Sequence, residues 1–153
     1  MHVETFCNGD WAQNCYVLVN PADDAVIIDP GSEHEKLINL IEENNWRPLT
    51  VLNTHAHFDH VGAIVPILET FDIPFYMHSL DGPLLRQANM YKMLFGARES
   101  IRIPAITHDL ENHPAELNID GFELSWVATP GHTPGGVCFR CKETFNQLTL
   151  MHL

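Results

Sequence analysis

The residues of this chain that could most readily do chemistry are concentrated in one octapeptide, NTHAHFDH, at positions 53–60. It places His55, His57, Asp59 and His60 directly after LTVL, an apolar run that is typical of a short buried strand. In an extended segment residues i and i+2 point to the same side, so the rings of His55 and His57 can meet one metal ion. Asp59 and His60 follow where the chain turns into a helix, and they can face the same cavity from another direction. Imidazole and carboxylate ligands suit zinc, so the octapeptide predicts a zinc site.

A third strong ligand is expected from elsewhere, because two imidazoles hold a metal weakly. The best candidate is His132 in ATPGHTPGG, where a strand ends and the glycines and prolines fix the backbone around one exposed ring. His78, at the end of a strand, and His108 and His113, in a long connection, are weaker candidates. For any single histidine, a solvated loop or a satisfied place in the core is the commoner explanation. Four ligand-type side chains within six positions reverse that preference.

The alternation of strand and helix patterns along the chain predicts an α/β fold. Apolar, β-branched runs predict strands over 14–20, 24–30, 49–54, 73–78 and 122–129, and a last one in VCFRC. Apolar residues at helical spacing predict helices over 33–44 and 79–97 and another from His60 to Phe71. Residues 98–118 have weak periodicity and are expected to form a long connection that reaches over a site.

Four local features refine these helices. Ser32 followed by Glu35 matches a capping box at the start of the first helix. Pro66 lies inside the second, which is therefore expected to be kinked or broken. In the third, Ser79 or Asp81 is expected to cap the start. A stripe in that third helix is expected to pack in the core: Leu84, Leu85, Met90, Met93 and Leu94.

Composition narrows the possible partners. The 153 residues suit one domain, 1–153, and the formal net charge of −12 argues against a surface for nucleic acid or anionic membranes. No stretch approaches 18 consecutive apolar residues, and the N-terminus shows no signal-peptide pattern. Without such a signal, the four cysteines are expected to be free thiols in a reducing, cytoplasmic compartment. Cys138 and Cys141 are expected to pack in the core of the last strand.

At this point the motifs form a recognisable pattern. THAHFDH and TPGHTPGG, together with QNCYVLV, VIIDPG and FELSWVATPGHTPGGVCF, resemble the metallo-β-lactamase superfamily, and most closely its glyoxalase II-like thioesterases. The resemblance runs in order from about residue 5 to about residue 140. It implies an αββα sandwich with metals at one edge between two sheets. It further implies that His55, His57 and His132 hold a first metal ion, and that Asp59 and His60 contribute to a second.

The chain departs from this pattern after residue 140. The family places an aspartate that bridges the two metals in a GD segment one strand after the PGHTPG turn, and a final histidine much later. Beyond His132 there is no aspartate, and the only histidine is His152. The resemblance therefore predicts a chain truncated at its C-terminus, with an incomplete second half and an incomplete second metal site. A second copy of the chain, in a homo-oligomer, could cover the sheet edge that this leaves.

The function implied is hydrolysis of a small molecule. Zinc on the three histidines would lower the pKa of bound water to roughly 7, and the resulting hydroxide would attack an ester-like carbonyl. Asp59 would orient the nucleophile and shuttle its proton. A thioester such as a hydroxyacylglutathione is the expected substrate, because a thiolate leaves without a strong general acid. Two alternatives remain: a catalytically impaired protein that binds one metal or acts as an interaction module, and an iron protein that uses the same histidines.

Overall fold

Two β-sheets form the centre of the protein, in a computed structural model that describes residues 1–97 and 99–142 and the main chain of residues 148–150. The strands are β1 (His2–Asn8), β2 (Gln13–Val19), β3 (Asp24–Ile28), β4 (Arg47–Leu52), β5 (Phe75–Met77), β6 (His108–Asp109), β7 (Glu116–Ile119), β8 (Phe122–Ala128), β9 (Val137–Cys141) and β10 (Leu148–Leu150). The helices are α1 (His34–Glu43), α2 (Phe58–Val61), α3 (Ile64–Phe71), α4 (Gly82–Arg86) and α5 (Ala88–Leu94), with 3-10 turns at Ser79–Asp81 and Leu110–Asn112.

The first sheet has the strand order β1-β2-β3-β4-β5-β6. Strands β1 to β3 pair antiparallel, whereas β3 to β6 pair parallel. The carboxyl ends of β3, β4 and β5 therefore meet at one edge, which is where open α/β sheets bind ligands. The second sheet, of order β10-β9-β8-β7, is antiparallel throughout.

The two faces of the first sheet belong to two different cores. On one face Ile27 and Val51 pack with the helices, and on the other Val26 and Leu52 pack with Phe139 of the second sheet. Strand β3 is buried along its whole length because both of its faces are covered. None of the five helices adds a buried residue to the core between the sheets in the part of the chain that the structure describes. The layers run helix, sheet, sheet, in agreement with the order of an αββα sandwich.

The first helix forms where the sequence predicts it, but the predicted capping box is wrong. The cap residue of α1 is Glu33, and no side chain caps the helix. The amide of Ser32 donates to Asn8 Oδ1 at 3.0 Å, and Glu33 Oε2 accepts from the amide of Gly9 at 2.9 Å. Asn8 of the β1–β2 hairpin thus takes the Ser32 amide, one of the two donors that a capping box would have used.

The predicted break in the second helix is confirmed, although it comes earlier than Pro66. Helix α2 ends at Val61, and Pro66 is the third residue of α3. Proline is tolerated in the first turn of a helix because the amide hydrogen that it lacks has no partner there. Two short helices therefore follow the octapeptide.

The predicted helix over 79–97 is divided among a 3-10 turn, α4 and α5, and two expectations about it are wrong. Asp81 makes no capping bond to α4 and is instead fully buried. Of the expected core stripe Leu85 is buried, but Met90, Met93 and Leu94 are exposed. Helix α5 therefore has an apolar face that no described element covers.

Several strands were missed by the sequence reading. Strand β1 was not predicted. The segment 98–118 was expected to be a long connection, but it contains β6 and most of β7. Strand β10 lies in the tail, and His152 falls outside the described residues. None of the four cysteines, all of which lie in the described residues, forms a disulfide, and Cys138 and Cys141 are buried in β9 as expected. In the described ranges, no helix combines the length and apolarity needed to cross a membrane.

Substitution of Gly31 tests the close packing of the β1–β2 hairpin on the turn after β3. Gly31 has φ +74°, and an added Cβ would lie 2.0 Å from Asn8 Oδ1. Gly31→Ala is expected to lower the free energy of unfolding by about 1–3 kcal/mol from backbone strain, and further through displacement of Asn8. The matched control is Gly96→Ala, since Gly96 has φ +88° but nothing within 4 Å of an added Cβ. Urea unfolding should show a clearly smaller loss for the control; equal losses would contradict the packing argument.

Candidate metal centre

The loop after β4 presents two imidazoles to one point. Strand β4 ends at Leu52, and the chain then leads to His57, which has an extended backbone with φ −65° and ψ 146° at the start of α2. His55 is buried and His57 half-buried. His55 Nε2 lies 3.0 Å from His57 Nδ1. The i and i+2 positions therefore bring two ring nitrogens together, as the spacing predicts.

The third imidazole comes from the turn between β8 and β9. His132 Nε2 lies 3.0 Å from His57 Nδ1, and its ring centroid lies 4.9 Å from that of His55. One ligand atom from each of the three rings falls within 4.8 Å of the others. The structure thus brings together the three histidines that the sequence singled out.

The hydrogen bonds behind His55 determine which of its nitrogens faces the other rings. The hydroxyl of Thr54 donates its single hydrogen to Asp29 Oδ2 at 2.5 Å, and it lies 3.0 Å from His55 Nδ1. The hydroxyl must therefore accept from Nδ1–H, which leaves Nε2 of neutral His55 unprotonated. An unprotonated nitrogen close to two further ring nitrogens fits a zinc-type ion, and the outer hydrogen bond is the kind that orients metal-bound histidines.

Electrostatics favour the neutral form of His57 that a metal requires. Burial lowers the pKa of His57, and repulsion from His132 lowers it further, while the carboxylate of Asp59 opposes the shift. Metal ligands must be deprotonated, so a lowered pKa of His57 favours metal binding.

His60 lies beside this group and belongs to a second one, with Asp29 and His55, whereas Asp59 joins neither of these two groups in the described part of the chain. The Nδ1 atom of His60 lies 3.3 Å from Asp29 Oδ2, and its Nε2 atom lies 3.6 Å from Asp59 Oδ2. Gln13 Nε2 is 3.4 Å from the same Nδ1, but both amide hydrogens of Gln13 are used by the carbonyls of Asn14 and Asp29. The partner of Nδ1 is therefore Asp29, and Nε2 faces the side of Asp59.

The charge of Asp29 decides the protonation of His60. Burial lowers the pKa of His60, but attraction and hydrogen bonding to Asp29, with a smaller contribution from Asp59, outweigh burial and raise it overall. One ligand atom each of Asp29, His55 and His60 also falls within 4.8 Å, and all three residues are buried.

Asp29 is a residue of the candidate site that the sequence pattern marked only as the end of a strand. It has φ 50°, a left-handed conformation that aspartate tolerates better than most residues. In that conformation Oδ1 accepts from the amide of Thr54 at 2.8 Å, while Oδ2 accepts from its hydroxyl. The signal that could have identified it is an acidic residue at the carboxyl end of a parallel strand beside the octapeptide.

A third ligand-type group, formed by His78, Asp109 and Glu111, is explained by hydrogen bonds within the chain. His78 Nδ1 accepts from the amide of Leu80 at 3.3 Å, so the neutral ring carries its proton on Nε2. Asp109 Oδ1 accepts from the amides of Ser79 and Glu111, and the Ser79 hydroxyl donates to Glu111. These bonds join the ends of β5 and β6 and leave the His78 ring unsuited to a metal.

The weaker candidates His108 and His113 flank Tyr76. The His108 ring stacks on Tyr76 with a centroid separation of 4.4 Å, and the His113 ring meets Tyr76 edge-on at 5.2 Å. Neither histidine joins a ligand-type group within the described residues.

Three aromatic rings form a small cluster next to the octapeptide. Trp11, in the β1–β2 turn, lies 5.7 Å from Phe58 and 5.3 Å from Phe95, and the last two rings are 5.6 Å apart. Phe58 stands between His57 and Asp59 in the sequence. A groove of about 950 Å³ passes along Trp11, Phe58 and Asp59. Of the octapeptide, Phe58 and Asp59 line this groove, and none of the three histidines does.

The sequence of this chain is similar to those of known proteins. A family model described as the metallo-β-lactamase superfamily matches residues 8–144. The protein named probable metallo-hydrolase YqgX of Bacillus subtilis is 39% identical over 131 residues, which cover 85% of this chain and 61% of that protein. The hydroxyacylglutathione hydrolase GloC of Haemophilus influenzae is 32% identical over 144 residues, which cover 91% of this chain and 66% of GloC. The chain thus spans less than two thirds of the length of either relative.

Solved structures give the same result for the fold. The B3 metallo-β-lactamase BLEG-1 superposes with a TM-score of 0.85 at 35% identity, covering 93% of this chain and 68% of that one. The protein TTHA1623, in a di-iron-bound form, superposes with a TM-score of 0.74 at 36% identity, covering 89% of this chain and 65% of that one.

Removal of the distant imidazole tests whether the three rings hold one ion. His132→Ala is expected to weaken zinc binding by more than about 100-fold, since loss of residues that merely orient ligands already costs about 10–100-fold. The measurement is competition with a chromophoric chelator on protein purified without a tag. His113→Ala is the matched control, because His113 packs on Tyr76 outside the group. A wild-type affinity in His132→Ala would contradict the assignment.

The metal-free protein should show the His60–Asp29 interaction in the pH dependence of its stability. A raised pKa in the folded state means that protonated His60 stabilises the fold fully below its unfolded pKa of about 6.5. That contribution is lost as the pH rises through the folded pKa. His60→Gln should therefore destabilise the metal-free protein more at mildly acidic pH than at alkaline pH in urea unfolding. A difference of the opposite sign would refute the pairing with Asp29.

Proposed function

The chain belongs to the metallo-β-lactamase superfamily, and from this membership we propose that it is a metal-dependent hydrolase of thioesters of the hydroxyacylglutathione type. The observation that carries the proposal is the convergence of ring nitrogens from His55, His57 and His132 within 4.8 Å. The relative GloC, named a hydroxyacylglutathione hydrolase, supports the substrate class, and YqgX supports the broader assignment as a metallo-hydrolase.

The three imidazoles would hold the first metal ion, and Asp59 and His60 would contribute to a second. A bound zinc ion would supply a Lewis acid and a water whose pKa is lowered to about 7. Zinc is the proposed metal because the donor set is nitrogen-rich with carboxylate beside it. Iron is the alternative, since TTHA1623 was crystallised in a di-iron-bound form.

Asp59 is proposed as the catalytic carboxylate. Its side chain is about one-quarter exposed, and Oδ2 lies 3.6 Å from His60 Nε2. A carboxylate at the edge of a buried histidine group is placed to orient a water and take up its proton. That proton can then pass to the leaving group, although a thiolate, with a thiol pKa of about 8.5, needs little assistance to leave.

The groove beside Asp59 is lined by charges of both signs. Although the net charge of the chain is −12, Lys36, Lys92 and Arg102 all line this groove. Lys36 pairs with Glu33 and Arg102 with Glu69, so both basic groups also have partners within the protein. Asp10, Glu33, Asp59 and Glu99 line the same groove, so its charges do not by themselves favour an anionic substrate.

A thioesterase assay with matched variants tests this function. The purified chain, reconstituted with zinc, is expected to hydrolyse a hydroxyacylglutathione, followed by the loss of thioester ultraviolet absorbance. Asp59→Asn should lower kcat by about 10²–10⁴-fold, the usual contribution of a positioned acid–base group. Asp120→Asn removes the exposed carboxylate of the β7–β8 turn and is the control for charge. If Asp59→Asn and the wild type hydrolyse equally fast, or if the metal-loaded wild type has no activity, the proposal fails.

A further inference from the structure

Asp81 is a fully buried carboxylate that the proposed chemistry does not use. It lies in the 3-10 turn after β5, is 0% exposed, and makes no capping bond to α4. No ion pair involves Asp81 among the residues that the structure describes at side-chain level. A buried carboxylate is costly unless hydrogen bonds satisfy it, so its partners indicate why it is there.

Its partners come from the two segments that carry the three histidines. Oδ2 accepts from the amide of Ala56 at 3.0 Å and from the hydroxyl of Thr133 at 2.8 Å, and Oδ1 accepts from the amide of Gly135 at 2.7 Å. Ala56 lies between His55 and His57. Thr133 directly follows His132. One carboxylate therefore binds both the His55–His57 loop and the turn that carries His132.

The fit around Asp81 is close on the side of the β8–β9 turn. A Cβ on Gly135 would lie 2.7 Å from the amide nitrogen of Asp81 and 3.0 Å from its Oδ1. Position 135 therefore has to be glycine for the turn to approach this closely. The two segments also meet directly, because the amide of Val137 donates to the carbonyl of Thr54 at 2.9 Å.

We propose that Asp81 is a positioning residue that sets the separation between the His55–His57 loop and the His132 turn, so that their three rings can share one metal ion. This rests on the proposed function only in that the three histidines are taken as the metal ligands. The expectation follows from geometry, since a ring displaced by about 1 Å no longer meets the others at a bonding distance.

The isosteric variant Asp81→Asn tests the proposal. Its amide has one acceptor oxygen, so it cannot accept from donors on both sides, and its NH₂ group would face an N–H or O–H donor. In the metal-free protein, the nuclear Overhauser contact between the His57 and His132 rings should be lost, and the amides of Ala56 and Gly135 should exchange faster with deuterium. Cobalt, the probe metal, should bind about 10–100-fold more weakly, with an altered d–d spectrum.

A matched control separates positioning from general stability. Asp24 is also a buried carboxylate with side-chain hydrogen bonds, but it accepts from Asn20 and Arg47 at the start of β3. Asp24→Asn should lower the urea midpoint while leaving the ring contact and the cobalt affinity unchanged. If Asp81→Asn behaves like Asp24→Asn, with lower stability but an unchanged site, Asp81 is purely structural and the proposal is overturned.

A milder pair of variants covers the case in which Asp81→Asn does not fold. Thr133→Val keeps the shape of the side chain but removes one donor to Asp81, and Thr133→Ser restores that donor. Weaker cobalt binding in Thr133→Val that recovers in Thr133→Ser supports the proposal, and equal binding in both overturns it. A wild type that binds cobalt but hydrolyses nothing refutes the proposed function alone. If the wild type binds no cobalt, the ring contact and the amide exchange in the metal-free protein still decide the role of Asp81.

Discussion

The site depends first on a bidentate contact between the ends of two neighbouring parallel strands. The carboxylate of Asp29, after β3, accepts from both the amide and the hydroxyl of Thr54, after β4. Through that hydroxyl it determines which nitrogen of His55 is unprotonated, and through Oδ2 it faces His60 directly. Asp29 adopts a left-handed backbone conformation, which is unfavourable for most residues, and in this conformation its carboxylate contacts both histidine groups.

The layered fold explains why the site lies at an edge. Strand β3 is buried on both faces and cannot carry exposed polar chemistry along its length. Its neighbours β4 and β5 run in the same direction, so the segments that follow all three strands emerge together. The second sheet contributes its own turn at that edge, where the amide of Val137 donates to the carbonyl of Thr54. Ligands from both sheets can therefore meet without disturbing either core.

The sequence predicted those parts of the structure that depend on local spacing. The meeting of His55 and His57 follows from their i and i+2 spacing, and His132 is marked by its turn. Asp81 was misread as a cap because its partners lie 25 and 54 positions away, which no local pattern reveals. The capping box at Ser32 failed for the same reason, since a distant hairpin supplied competing partners. Periodicity gave α5 an apolar face, but it could not show that Met93 and Leu94 would remain uncovered.

The aromatic cluster gives the protein a built-in optical reporter. The indole of Trp11 touches Phe58, which stands between a candidate ligand and the candidate catalytic carboxylate, and it also touches Phe95 at the end of α5. The other two tryptophans pack elsewhere, Trp46 against His2 and Trp126 against His78. A rearrangement of the octapeptide that moves Phe58 changes the surroundings of one tryptophan out of three. Emission from a chain that keeps Trp11 alone would follow that rearrangement in real time, without an added label.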